Sequence, residues 1–179
     1  MQQDVQTVLF SEEQLNQRIT ELGQAITKDY QNKSLVVVGI LKGSNIFTSD
    51  LVRKINLPLR MDFMAVSSYG NATESTGVVK ILKDLDCGIK GEHILIVEDI
   101  IDSGLTLKYL KETLETREPL SVRICTLLDK PARRKEPIAA DYVGFEVPDE
   151  FIVGYGIDYA ERYRNLPYVG ILKREVYEK

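Results

Sequence analysis

The stretch that most constrains the fold runs from His93 to Leu107, HILIVEDIIDSGLTL, where an apolar run, a carboxylate cluster and a glycine turn follow one another. Ile94, Leu95, Ile96 and Val97 leave no polar alternate, so they predict a strand buried on both faces, as in a parallel sheet covered by helices. Glu98, Asp99 and Asp102 come at its end. Ser103, Gly104 and Thr106 then supply small and hydroxylated residues for a strand-to-helix turn, and Leu105 to Leu114 repeats apolar residues at helical spacing.

A helix N-terminus presents unpaired N–H groups and the positive end of a dipole, which suits a monoester phosphate. Gly104 lets the backbone approach the anion, and the hydroxyls of Ser103 and Thr106 add donors. Carboxylates at the same turn would repel a phosphate, so they need another purpose. Glu98 and Asp99 suit sugar hydroxyls and a hard cation such as Mg2+, while Asp102 can accept a proton from a reacting group. A ligand carrying a phosphate, a diol and a leaving group satisfies all three demands.

The remaining chain is consistent with one domain spanning residues 1–179, long enough to bury a substantial core. Hydrophobic residues make up 44% and charged residues 28%, which excludes a disordered chain and a membrane-spanning one. A net charge of −4 argues against a broad nucleic-acid surface. Only Cys87 and Cys125 are present, without a secretory leader, so both are read as small apolar residues in a reducing cytoplasm.

Taken in order, a short polar start precedes a helix over Ser11 to Tyr30, opened by a Ser11–Gln14 capping box with Leu15, Ile19, Leu22 and Ile26 on one face. Leu35 to Ile40 predicts a second wholly apolar strand, and GILKGSNIFTSDL from Gly39 places another strand, turn and helix start in succession. There Lys42 and Gly43 could set a cation and an anion nest beside a further phosphate. Strands are expected over Leu59 to Val66, Val78 to Leu82 and Val122 to Leu128, with the polar stretch from Ser67 to Gly77 between the first two. After the last strand comes DKPARRKEP, in which Arg133, Arg134 and Lys135 read as a solvated turn. His93 has nothing nearby to orient it and is given no chemistry.

VEDIIDSGLT, from Val97 to Thr106, closely resembles the phosphoribosyl-pyrophosphate-binding motif of the type I phosphoribosyltransferases, within their 6-oxopurine, hypoxanthine-guanine branch. The likeness extends over roughly Val36 to Leu172, and its second strong segment is VGFEVPDEFIVGYGIDYAERYRNLPYVGIL, from Val143 to Leu172. It implies a phosphate and ribose site at Glu98, Asp99, Asp102, Ser103, Gly104, Leu105 and Thr106, with Asp102 as catalytic base. Leu41, Lys42 and Gly43, in a loop with a non-proline cis bond, and Arg164 would contact pyrophosphate. Ser68 and Tyr69 would belong to a lid. Lys130, Phe151, Ile152 and Asp158 would bind the purine: Lys130 donates to the exocyclic oxygen and Phe151 stacks on the ring. Mg2+ would be held by Glu98, Asp99 and Asp158. Leu105 departs from relatives that carry lysine there, so phosphate charge at that position has to come from elsewhere.

The expected fold is therefore α/β, a twisted, mainly parallel sheet flanked by helices, with a small hood contributed mainly by about residues 130–179 and some N-terminal chain. The implied substrates are phosphoribosyl pyrophosphate and a 6-oxopurine, with no nucleic-acid or membrane partner and with assembly into a homodimer or homotetramer. Rival readings are a xanthine-guanine or adenine phosphoribosyltransferase, and a phosphoribosyl-sensing, nucleic-acid-binding regulator that performs no chemistry. Lys130 disfavours adenine, whose amino group would meet another donor.

Overall fold

The computed structural model of the chain describes residues 1–69 and 78–178. In chain order it contains β1 (Val5–Phe10), α1 (Glu12–Asp29), β2 (Leu35–Leu41), α2 (Asn45–Val52), β3 (Leu59–Tyr69), β4 (Val78–Lys83), β5 (His93–Ile101), α3 (Leu105–Glu115), β6 (Ser121–Asp129), β7 (Tyr142–Glu146), β8 (Ile152–Val153), β9 (Val169–Leu172) and α4 (Arg174–Tyr177). The Ser11–Gln14 capping box is closed: Ser11 Oγ accepts the Gln14 N–H, and the Gln14 side chain accepts the Ser11 N–H at 2.9 Å.

Six strands form the main sheet in the order β4-β3-β2-β5-β6-β7, parallel throughout except for β4, which runs antiparallel to β3. The two wholly apolar strands stand side by side at its centre, with Val36 opposite Ile94 and Gly39 opposite Val97. Their side chains alternate between two cores. Leu35, Val37, Leu95 and Val97 pack with α1 and α2 residues such as Leu15, Ile19, Phe47 and Leu51. Val36, Val38, Ile40, Ile94 and Ile96 pack with Leu107, Leu110 and Leu114 of α3. Burial on both faces is why neither strand shows a polar alternate.

A topological switch lies between these strands. The chain leaves β2 towards β3 on one side, whereas from β5 it passes to β6 on the other. Loops at the carboxyl ends of β2 and β5 therefore diverge and leave a crevice, where open α/β sheets hold their ligands.

A separate antiparallel sheet, β1-β9-β8, forms the hood. Its edge strand β1 is the N-terminal chain expected to contribute to the hood, although the stretch reads as a short polar start and not as a strand; its burial is partial, with no clean alternation to reveal it. Conversely Tyr142–Glu146, inside the segment assigned to the hood, pairs with β6 in the main sheet. Tyr163, Leu166, Val153 and Leu172 make the hood's own small core, with Tyr159 and Tyr168 packed against it. Most of the polar stretch expected to form a lid lies outside the described residues, as do the side chains of Ser68 and Tyr69.

Ile96 is fully buried in the central strand. Ile96→Ala is expected to lower the unfolding free energy by about 2–5 kcal/mol in urea titrations, and a loss under about 1 kcal/mol would place the main core elsewhere.

Candidate active site

The site grows from two turns that meet at the switch point. After β2 the chain makes a cis peptide between Leu41 and Lys42, and Gly43 follows. A Cβ on Gly43 would lie 1.7 Å from Asp99 Oδ2, so this loop and the acidic end of β5 are in contact only because residue 43 has no side chain. The hood closes on the same loop: a Cβ on Gly156 would lie 2.1 Å from the Gly43 carbonyl oxygen. Three segments far apart in sequence are thereby fixed around Gly43.

The central strand extends further than its apolar run, through Glu98 and Asp99 to Ile101. These adjacent carboxylates are half-buried and line the crevice. Burial pushes the Glu98 carboxyl well above the usual range, and the Asp99 charge pushes it further. Burial also raises Asp99, while a hydrogen bond with Glu98 acts in the opposite direction. Beyond them Gly104 adopts a left-handed φ of 84° at the N-cap of α3, a conformation that favours glycine. Lys135 and Glu136 N–H groups both donate to the Ser103 carbonyl, at 2.9 and 3.1 Å, and hold the turn from outside.

Two cavities open here. One of about 300 Å³ is lined by Leu41, Glu98, Asp99, Ser103, Gly104 and Thr106 among others, joining the acids to the amino end of α3. The other, of about 360 Å³, is lined by Lys130, Phe151, Ile152, Asp158, Arg174 and Tyr177 among others. Ile100 and Asp102 line both. Asp102 Oδ1 is buried without a hydrogen-bond donor among the described residues, and the nearest cation is Arg133, whose Nε is 3.3 Å away. One carboxylate thus stands where occupants of the two cavities would meet.

In the second cavity Lys130 is 6% exposed and donates from Nζ to the Glu150 carbonyl at 2.9 Å, leaving two further N–H bonds on its ammonium. Phe151 presents an exposed ring with one neighbour stacked on it, Tyr177, at 4.7 Å between centroids. Asp158 accepts from Arg164 at 2.8 Å. Arg164 also donates to the Gly156 carbonyl at 2.8 Å.

Of the residues singled out in the sequence, Leu41, Glu98, Asp99, Ser103, Gly104 and Thr106 line the first cavity, Lys130, Phe151, Ile152 and Asp158 the second, and Asp102 both, whereas Lys42, Gly43, Leu105 and Arg164 line neither. Glu98 and Asp99 are not joined by Asp158 in a single cage: among the described residues no three or more His, Cys, Asp or Glu side chains converge at metal spacing. The reading of the turn as solvated holds for Arg133 and Lys135, which are exposed, and needs correction for Arg134. Arg134 is largely buried, pairs with Asp129 and donates to the Asp102 carbonyl at 3.2 Å, whereas Arg133 stays in solvent with its Nε beside the Asp102 carboxylate. Arg174 and Tyr177 were also missed, because nothing local marks a four-residue terminal helix as part of a cavity wall.

Glu98→Gln removes repulsion from a buried pair. Because burial raises both carboxyls in the fold, the stability they contribute is present at low pH and is lost as pH rises through their folded values. The substitution is expected to raise the melting temperature of the ligand-free protein at pH 8, by about 2–4 °C per kcal/mol relieved, and to raise it less at pH 4. Equal shifts at both pH values in calorimetry would mean that no such repulsion exists.

The whole chain also has close relatives. A family profile described as "Phosphoribosyl transferase domain" matches residues 6–160. The hypoxanthine-guanine phosphoribosyltransferase of Bacillus subtilis is 57% identical over 178 residues, 99% of each chain. A crystal structure of a hypoxanthine phosphoribosyltransferase from Staphylococcus aureus superposes with a TM-score of 0.98 at 55% identity, covering 100% of this chain and 97% of that one. One of a hypoxanthine-guanine phosphoribosyltransferase from Bacillus anthracis, with a HEPES molecule in the active site, gives 0.91 at 51% identity over 94% of this chain and 99% of that one. Likeness that runs from end to end, and not through the acidic motif alone, means that the chain belongs to the phosphoribosyltransferase family, on its hypoxanthine-guanine branch.

Proposed function

We propose that the protein transfers a 5-phosphoribosyl group from phosphoribosyl pyrophosphate to hypoxanthine or guanine, forming the nucleoside monophosphate and releasing pyrophosphate, a purine-salvage reaction. The observation that carries this reading is the position of Asp102, which lines the phosphate-side and base-side cavities at once. A base at that junction can serve a reaction that joins the two occupants.

The 5-phosphate docks on the Ser103–Thr106 turn, where α3 begins and the Leu105 N–H makes only a long 3.4 Å bond to Ser103 Oγ that a phosphate oxygen can replace. Lys130 donates to the purine's exocyclic oxygen, and Phe151 offers a ring face to the base. N9 of the purine attacks the anomeric carbon as the bond to pyrophosphate breaks, its electron pair leaving with the pyrophosphate oxygen. Asp102 takes the N7 proton, which keeps the attacking ring from carrying full positive charge. Lys42 and Arg164 meet the negative charge that grows on the leaving group, an interaction strongest in the transition state.

The Glu98–Asp99 pair fits a divalent cation. Two adjacent carboxylates, both pushed up by burial, lack a cation of their own at hydrogen-bond distance among the described residues, and Mg2+ is ordinarily bound by one or two carboxylates with substrate oxygens completing its shell. Bound there, Mg2+ supplies positive charge to the sugar hydroxyls and pyrophosphate oxygens. Asp158 sits on the base side, tied to Arg164, where it can hold a second cation through water.

Incubation with phosphoribosyl pyrophosphate, Mg2+ and each of hypoxanthine, guanine, xanthine and adenine tests the reading, with the two 6-oxopurines that lack a 2-oxo group expected as substrates. Formation of adenosine monophosphate alone would overturn it, and xanthosine monophosphate as main product would move the protein to the xanthine-guanine class. Asp102→Asn is expected to lower turnover by about 10²–10⁴-fold with little change in phosphoribosyl-pyrophosphate affinity; turnover within twofold of the parent would remove Asp102 as base. Lys130→Ala should narrow the preference for 6-oxopurines, read as the ratio of kcat/KM values for hypoxanthine and adenine.

A further inference from the structure

The two cations proposed to meet pyrophosphate are held by one carboxylate. Lys42 Nζ lies 2.7 Å from Oε2 of Glu161, and Arg164 Nη2 lies 3.1 Å from its Oε1. Each oxygen thus has its own cation, as two oxygens of a pyrophosphate would. The hydrogen bond from Lys42, followed by that from Arg164, holds the Glu161 carboxyl below the usual range, so it is charged at neutral pH.

The position of this carboxylate is built. Glu161 stands at the tip of a two-residue hairpin in which Tyr159 and Arg162 exchange N–H to carbonyl bonds of 3.1 and 3.0 Å. Ala160 and Glu161 take φ of 50° and 61°, a tight turn usually made with asparagine and glycine. The Glu161 N–H donates to Asp158 Oδ2 at 2.9 Å, so the same aspartate that pairs with Arg164 also supports the turn. Lys42 and Glu161 are 69% and 65% exposed, which makes their pair weak and easily exchanged for a more highly charged anion.

We propose that Glu161 is an internal competitor for the pyrophosphate subsite: its carboxylate occupies Lys42 and Arg164 until the pyrophosphate end of the substrate displaces it, and it reclaims them as the product leaves. This rests on the assignment of Lys42 and Arg164 to pyrophosphate. Its consequence is a fixed reduction in affinity for the pyrophosphate group, in substrate and product alike, with the purine end untouched.

The test is Glu161→Gln in the full chain with Mg2+, using inorganic pyrophosphate as product inhibitor. The inhibition constant for pyrophosphate and the KM for phosphoribosyl pyrophosphate are expected to fall together by about two- to fivefold, the scale of an exposed ion pair, with the KM for hypoxanthine unchanged. The difference from the parent should shrink in added salt. Unchanged or raised constants would overturn the proposal and reduce Glu161 to a brace for Arg164. Lys42→Ala separates the two levels. If it weakens pyrophosphate inhibition while Glu161→Gln does not strengthen it, only the competitor fails. If Lys42→Ala leaves pyrophosphate inhibition unaltered, the subsite assignment fails and the competitor with it. Both substitutions fall on exposed side chains, so the fold is expected to survive them.

Discussion

Two carboxylates pressed together at the end of a buried strand are what the rest of this structure is arranged to accommodate. Glu98 and Asp99 belong to β5, whose preceding four residues are fully buried, and burial raises both carboxyls. A chain selected for stability alone has no reason to keep that pair. Their position follows from the sheet: β5 stands beside β2 at the point where the connections diverge, so the ends of these strands border an opening and not a packed loop. The core supplies rigidity through two apolar layers, and the charged pair is held where substrate oxygens and a cation can complete it.

Close approach at Gly43 transmits that arrangement to the other elements. With Asp99 on one side and Gly156 on the other, the loop after β2 is clamped between the sheet and the hood. The hood in turn carries Asp158, Glu161 and Arg164, so the charges around Lys42 are assembled from both halves. A charge-compensated cluster of Lys42, Glu161, Arg164 and Asp158 results. It costs little to open because two of its members are largely solvent-facing.

The second cavity holds a cation that is buried but incompletely used. Lys130 keeps one bond to the Glu150 carbonyl and sits at the edge of a cavity that also holds the Phe151 ring. The loop following it turns back over the phosphate turn, through the Lys135 and Glu136 N–H groups and the Arg134 guanidinium. The walls of the two cavities are therefore mechanically joined through one short segment.

The amino-acid sequence by itself determined the α/β class, the central strands, the Ser11 helix and the acidic motif, because each is written in neighbouring residues: an unbroken apolar run, a capping pair, a glycine turn. Its resemblance to a known family also picked out Lys42, Lys130 and Arg164. Tertiary structure alone decided that β1 pairs with β9, that Tyr142–Glu146 joins the main sheet, that Arg134 turns inward to Asp129, and that Arg174 and Tyr177 wall the second cavity. The same holds for the bridge from Glu161 to Lys42, which spans 119 positions of chain. The physical reason is common to all of these. Local pattern records which face of an element is apolar, whereas the partner of an edge strand or an exposed charge is set by packing between segments that share no sequence neighbourhood.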